Sequence, residues 1–422
     1  MDSRNGRMPG LISILLLLAV TLLSYHRLEA SRAAFRVNNC VLGADNATIG
    51  AALDAGTYRG LRLRKHPMAV VLVGAVSKPI SMAGVPHRQA TSAGLALIQG
   101  LGAAAMFLFL ARNRVGLGAA LAATLFFLSL FGPAALFGVT DSYGVTFAVS
   151  AIAVLAMGEL ARRANATRGR VGAGLAVAAA GLANPPAMAI LPLYAALCRQ
   201  WRGAGTRHAL ATDLAVPAAV AAFVAIALPL LISDGWGLGY AQRYATLNGF
   251  RDAGLFADYA VGFWLFALVA PMELMQCRYG AGLLPLAEPL RLAGMGLSAL
   301  LLLIGTGRAL AERRSRDVSL ACLCGIAALF LFYLWFNPGE VLLYSPQWLF
   351  LLVIAASAGL AGGWLLPLAA AILLNLALNL PPLHRAGSAD PARCCPDPPP
   401  SMLPQEHPLR QGDRLCGGRA GQ

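Results

Sequence analysis

Charge is what this sequence has least of. Of 422 residues, 12% are Asp, Glu, Lys or Arg, against 58% that are hydrophobic. Soluble domains carry about a quarter charged residues, so this chain lacks the polar surface of an ordinary cytosolic or secreted enzyme. Lysine is nearly missing: Lys65 and Lys78 are the only two, and every other basic residue is Arg. A formal charge of +14 on a polar chain would suggest a nucleic-acid partner. On a chain this apolar it suggests membrane lipids instead, with the charge gathered in loops. The eight cysteines include no CxxC pair and the six histidines are scattered, which excludes a structural zinc cluster. P-loop, nucleophile-elbow and metalloprotease motifs are absent. Gly116-Leu117-Gly118 opens an apolar run and follows no strand, so it is not a dinucleotide loop. No internal repeat is evident, which counts against transporter folds built from repeated halves.

What is present is a series of apolar runs. A spanning helix needs about 20 mostly apolar residues. The first run, Leu11 to Ser24, follows Arg4 and Arg7. Tyr25-His26-Arg27-Leu28-Glu29 is a poor cleavage context, so the run reads as a retained signal anchor. Others lie near 90–111, 115–136, 142–160, 171–184, 186–198, 211–232, 259–275, 290–306, 318–336, 343–362 and 364–380. These predict an all-α polytopic membrane protein with about 10–12 transmembrane helices over residues 1–380, and a Pro-rich disordered tail over 381–422. Asn184-Pro185-Pro186 must interrupt helical hydrogen bonding.

Arginine clusters in short connections set the orientation: Arg112/Arg114, Arg162/Arg163/Arg168/Arg170, Arg199/Arg202/Arg207 and Arg308/Arg313/Arg314/Arg316. With Arg4 and Arg7 cytoplasmic, alternate crossings put all of them on that side, provided 259–275 is re-entrant or interfacial. Segments 25–89, 137–142, 233–289 and 337–345 then face outward. The first carries nine basic against three acidic residues, an excess that positive-inside sorting does not explain. It also holds the apolar stretch Met68 to Val76, too short to span and suited to an interfacial helix.

The outer segments hold the chemistry. Asp45 lies early in the first loop, and Arg59, Arg64, Lys65 and His66 follow it. Arg and Lys are natural phosphate ligands, and a neighbouring carboxylate can accept a proton from an attacking hydroxyl. Asp45 equally suits a helix N-cap, and the basic cluster equally suits attraction to anionic headgroups. Asp141, in Thr140-Asp141-Ser142-Tyr143, sits at the start of a span and is again either a site residue or a cap. Glu340, Tyr344 and Gln347 enter the outer end of the run that continues from Leu349. They suit contact with an acceptor or a sugar, while Tyr344 with Trp348 also suits an interfacial anchor.

Taken together, Asp45 after the first span, Gly56…Lys65-His66-Pro67 before an interfacial helix, Thr140-Asp141-Ser142-Tyr143 opening a span, and the Leu182-Ala183-Asn184-Pro185 break resemble the GT-C superfamily of polytopic glycosyltransferases. The likeness is to bacterial relatives of the protein O-mannosyltransferase and aminoarabinose transferase group, over roughly residues 8–380. The resemblance implies an inner-membrane enzyme with its active site on the extracytoplasmic side. It would move a hexosyl or pentosyl group from a polyprenyl-phosphate donor to a glycan, lipid or protein acceptor. It makes Asp45 the catalytic carboxylate and Asp141 its assistant, with Arg64, Lys65, Arg59 and His66 on the donor phosphate. Some members hold a divalent metal on an acidic pair; here Asp45 is followed by Asn46. The alternative is a transporter or flippase for a lipid-linked or small solute, for which Glu273 and Glu288 are the best residues.

Overall fold

The computed structural model describes residues 3–30, 67–137, 142–163, 166–203, 207–232, 248–270, 288–336, 341–342 and 344–387. Among the described residues there are helices and no strands. Seven helices among the described residues are long and apolar enough to cross a membrane: Met8–Ala30, His87–Asn113, Ser142–Arg162, Ala209–Leu228, Pro289–Ala311, Arg313–Phe336 and Leu365–His384. Four shorter apolar helices accompany them: Pro67–Met82, Leu117–Ser129, Ala253–Phe266 and Ser345–Ser357. The chain is an all-α polytopic membrane protein. Several of the predicted runs form shorter helices, one of them ended by Asn184-Pro185-Pro186.

Helix α1 (Ser3–Ala30) turns Leu16, Val20, Ser24 and Leu28 inward and leaves Leu11, Leu15, Leu18 and Leu22 exposed. A stripe at three- and four-residue spacing is the mark of a helix with one buried face, and an outward Leu face suits lipid. It packs on α3 (His87–Asn113), which α2 (Pro67–Met82) also flanks. Next come α4 (Leu117–Ser129) and α5 (Phe131–Leu136), parted by extended backbone at Leu130. The sixth, α6 (Ser142–Arg162), runs beside α3. A Cβ on Gly102 of α3 would sit 2.7 Å from Ala148 Cα. Glycine there is what lets the two backbones approach.

Helix α7 (Ala166–Ala183) stops at Asn184, whose φ of −159° and ψ of 123° are extended. Pro185 and Pro186 have no N–H to continue the ladder, so a 3₁₀ turn (Pro185–Ile190) follows. Helix α8 (Pro192–Arg202) then runs on to an arginine-rich end. The predicted break is therefore the hinge of a short helical pair. Beyond it come α9 (Arg207–Ile232), α10 (Asn248–Arg251), α11 (Ala253–Val261), α12 (Pro289–Ala311), α13 (Arg313–Phe336), α14 (Ser345–Ser357) and α15 (Leu365–Gly387).

The arginine clusters tie one end of this bundle together. Arg170 Nε meets Asp213 Oδ1 at 2.7 Å, Arg199 meets Asp317 at 3.2 Å, and Arg112 and Arg162 share Glu159 at 3.0 and 3.4 Å. Arg202 donates to the carbonyls of Leu160, Ala161 and Arg163, capping the last turn of α6. Arg162 also lies 4.4 Å over the Trp201 ring. Arg114, in the α3–α4 turn, reaches Ser319 Oγ at 3.2 Å. Burial holds its guanidinium below the ordinary value, while Cys322 and then Glu312 pull it back up.

Candidate functional site

Of the nine predicted site residues, Asp45, Arg59, Arg64, Lys65, His66, Asp141 and Glu340 lie outside the described residues. Tyr344 and Gln347 are described, and both are buried, at 2% and 4% exposure. Tyr344 precedes the first turn of α14, where Pro346 supplies a ready-set φ at a position whose N–H has no helical partner. A tight turn holds the entry: Tyr344 N–H donates to Val341 O and Ser345 N–H to Leu342 O, both at 3.3 Å.

Around this turn the structure builds a polar relay inside an aromatic wall. Tyr333 Oη, from the last turns of α13, donates to Gln347 Oε1 at 2.8 Å. Asn184 Nδ2, from the break after α7, reaches the same hydroxyl at 3.5 Å. The Tyr333 and Tyr344 rings stack at 3.7 Å with 4° between planes, and Tyr143 of α6 meets Tyr344 edge-on at 5.4 Å. Trp348 stacks on Phe263 at 4.2 Å. Trp348 and Tyr344 are therefore held by protein and not at the headgroups, which removes the interfacial-anchor reading for this pair. Two N–H groups here, Gln347 Nε2 and Trp348 Nε1, are buried with no hydrogen-bond acceptor among the described residues. An unsatisfied buried donor costs roughly 1–3 kcal/mol, and such a cost is tolerated where a ligand supplies the acceptor.

The segments that flank the predicted residues meet at this end. Arg27, near the end of α1 and just before the first loop, donates to the Ala134 carbonyl of α5. In turn α5 touches the start of α14: a Cβ on Gly132 would collide with the Ser345 side chain. Through Tyr143 and Tyr344 the contact continues to the first turn of α6, directly after position 141.

A second polar knot lies in the run 259–275, which the sequence reads as re-entrant or interfacial. After α11 the chain forms a π turn (Gly262–Phe266), then irregular backbone through Ala270, all deeply buried from Phe266 onward. Its groups are satisfied from three sides. Phe131 N–H and Gly132 N–H donate to Leu268 O and Ala267 O at 3.0 Å each. Ala270 N–H donates to Asn379 Oδ1 at 2.8 Å, and Arg291 Nη1 donates to Ala270 O at 3.0 Å and Leu378 O at 3.1 Å. Non-helical backbone at membrane depth survives only when protein satisfies it in this way. The helical part, Ala253–Phe266, is shorter than a span. Asn375 and Asn379, one turn apart in the apolar Leu-Asn-Leu-Ala-Leu-Asn-Leu run, were the available signal, since polar residues in a span face the bundle interior. Glu288, offered for the transport alternative, is 55% exposed and pairs with Arg291 at 3.5 Å. Among the described residues, no three His, Cys, Asp or Glu side chains come together as metal ligands.

No family model and no curated protein matches the chain. Solved structures do. ArnT from Cupriavidus metallidurans bound to undecaprenyl phosphate, an aminoarabinose transferase, is 16% identical over 81% of this chain and 59% of its own, with a TM-score of 0.47. The oligosaccharyltransferase AglB from Archaeoglobus fulgidus, in complex with an inhibitory peptide and a dolichol-phosphate, is 15% identical over 91% of this chain and 56% of its own, with a TM-score of 0.45. This chain thus spans less than two thirds of the length of either protein.

Proposed function

We propose that this protein is a membrane glycosyltransferase that takes a sugar from a polyprenyl-phosphate donor and passes it to an acceptor at the extracytoplasmic face. The observation that carries this reading is the convergence at one end of the bundle. The end of α1, which leads into the loop with Asp45, Arg64 and Lys65, reaches α5 through Arg27, and both α5 and the first turn of α6 after Asp141 touch the entry to α14. There the Tyr333–Gln347–Tyr344 floor supplies stacking surface and an amide, the groups that suit a sugar ring and its hydroxyls. Undecaprenyl phosphate and dolichol-phosphate, bound in the two similar structures above, belong to the lipid class this reading assigns to the donor.

The chemistry is a single displacement. An acceptor hydroxyl oxygen bonds to the anomeric carbon, and the carbon–oxygen bond to the donor phosphate breaks. Its electron pair leaves on the polyprenyl phosphate. Asp45 receives or orients the acceptor proton, with Asp141 beside it. Arg64 and Lys65, with Arg59 and His66, offset the charge that builds on the departing phosphate. Tyr344, Gln347 and Glu340 hold the sugar or acceptor. Membranes expressing Asp45→Asn test this. Transfer from a polyprenyl-phosphate sugar should fall by about 10²–10⁴-fold, the usual span for a lost general base. Full transfer at normal expression would remove Asp45 from the mechanism.

A further inference from the structure

At the arginine-rich end the turns differ in what their cations do. Arg112, Arg162, Arg170, Arg199 and Arg202 are consumed by carboxylates or helix-end carbonyls. The turn between α12 and α13 is different. Arg313 and Arg314 are exposed and have no acceptor among the described residues, and Arg308 lies 5.7 Å over the ring of Trp364 at the start of α15. Arg316 is exposed too, and gives only its Nε, to Leu310 O at 2.9 Å. The neighbouring carboxylates are already engaged: Glu312 accepts from Ser315 Oγ at 2.9 Å, and Asp317 pairs with Arg199.

Beside these cations lie two apolar, outward-facing stripes. On α12, Gly296, Leu300, Leu303 and Gly307 are exposed at helical spacing, and Gly296 and Gly307 have open space where a Cβ would stand. On the start of α15, Leu365 and Leu366 are exposed, Leu366 at 81% and Leu303 at 71%. The two helices pack directly on one another, with Gly294 against Leu378 at one end and Arg308 against Trp364 at the other.

We infer that the α12–α13 turn and the adjoining start of α15 form a binding site for an anionic phospholipid. Its phosphates sit among Arg308, Arg313, Arg314 and Arg316, and its acyl chains lie along the α12 and α15 stripes. Four guanidinium groups exceed what one phosphodiester can balance, so a headgroup with two, as in a diphosphatidylglycerol, fits best. Basic pockets between helices are a recognised setting for such headgroups. This site is separate from the proposed transfer chemistry and does not depend on it.

Native mass spectrometry of the detergent-purified full chain, with added tetraoleoyl diphosphatidylglycerol, tests the inference. Arg313→Ala and Arg314→Ala should each weaken lipid retention about five-fold, the worth of one surface cation beside anionic lipid. Both positions are exposed, so folding should be unaffected, and a monodisperse elution profile checks this. Arg163→Ala removes an exposed cation at the same end, outside this cluster, and should leave retention unchanged. Phosphatidylcholine with the same chains should not be retained, and inorganic pyrophosphate alone should not displace the lipid. Equal loss with Arg163→Ala, undiminished retention in the Arg313/Arg314 double variant, or equal retention of phosphatidylcholine would each overturn the site. Displacement by pyrophosphate would overturn the acyl-chain contribution and leave an anion site in its place.

Discussion

The two ends of this bundle use polar residues for opposite purposes. At the arginine-rich end most of the cationic side chains are paired, although Arg114 Nε, Arg162 Nε, Tyr194 Oη and Gln200 Oε1 are buried atoms without a partner among the described residues. Arg170 has Asp213, Arg202 has three carbonyls, and Gln200 and Trp201 both reach Asn113. At the other end the buried groups of the relay are uncharged. They sit among aromatic rings, and two of their N–H groups have no acceptor among the described residues. Paired charges fasten helices but leave nothing over for a ligand. Amides and indoles held in place by stacking leave donors free. The contrast assigns fastening to the paired arginines, and the proposed transfer reading places recognition at the relay.

The largest test of that contrast is Asp213→Asn. It leaves Arg170 without its carboxylate in a mostly buried pair, a loss worth about 3 kcal/mol when one partner of such a pair is removed. Thermal unfolding in detergent should register it, while the proposed transfer per folded molecule stays the same. An equal fall in transfer would mean that the fastening end also shapes the site. Next is Gly132→Ala, which pushes a methyl into Ser345 at the entry to α14. Overpacking of this kind costs about 1–3 kcal/mol, and here it also displaces the turn that carries Tyr344 and Gln347. Stability and transfer should fall together, the outcome that separates the recognition end from the fastening end.

Much of this was legible in the sequence, for reasons that differ by residue. The apolar runs and the Asn184-Pro185-Pro186 break are local features, readable from run length and from the missing proline N–H. The place of Tyr344 and Gln347 at the end of a helix was readable from polar residues entering an apolar run. Their burial was not. A Tyr and a Trp at a helix end look alike whether they meet headgroups or protein, and what decides it here are Phe263, Tyr333 and Tyr143, far away along the chain. Arg291 was hidden for a similar reason. One arginine near the start of a span reads as a loop charge, and only the buried 267–270 backbone reveals it as a donor to carbonyls. Asn375 and Asn379 gave a usable signal in their four-residue spacing. Asp45, Arg59, Arg64, Lys65, His66, Asp141 and Glu340 lie outside the described residues and rest on sequence alone.

Two smaller substitutions sharpen the comparison by exchanging its terms. Tyr333→Phe removes one hydroxyl from the relay and leaves the stack on Tyr344 in place. A net hydrogen bond is worth about 1 kcal/mol, so the melting temperature should move by only a few degrees. Transfer should fall further than that, by about tenfold, if the hydroxyl fixes the Gln347 amide against a bound sugar. A stability loss with unchanged transfer would reduce the relay to packing. Arg112→Ala is the opposite case and the smallest. Arg112 is largely exposed and shares Glu159 with Arg162, which keeps its own contact and its place over Trp201. Exposed pairs contribute about 0.2–1 kcal/mol, and a shared carboxylate makes the loss smaller still. Thermal unfolding at low and high salt measures it: a slight shift at low salt that vanishes at high salt is the expected result. A loss comparable to that of Asp213→Asn would show that the fastening end works as one cooperative charge network.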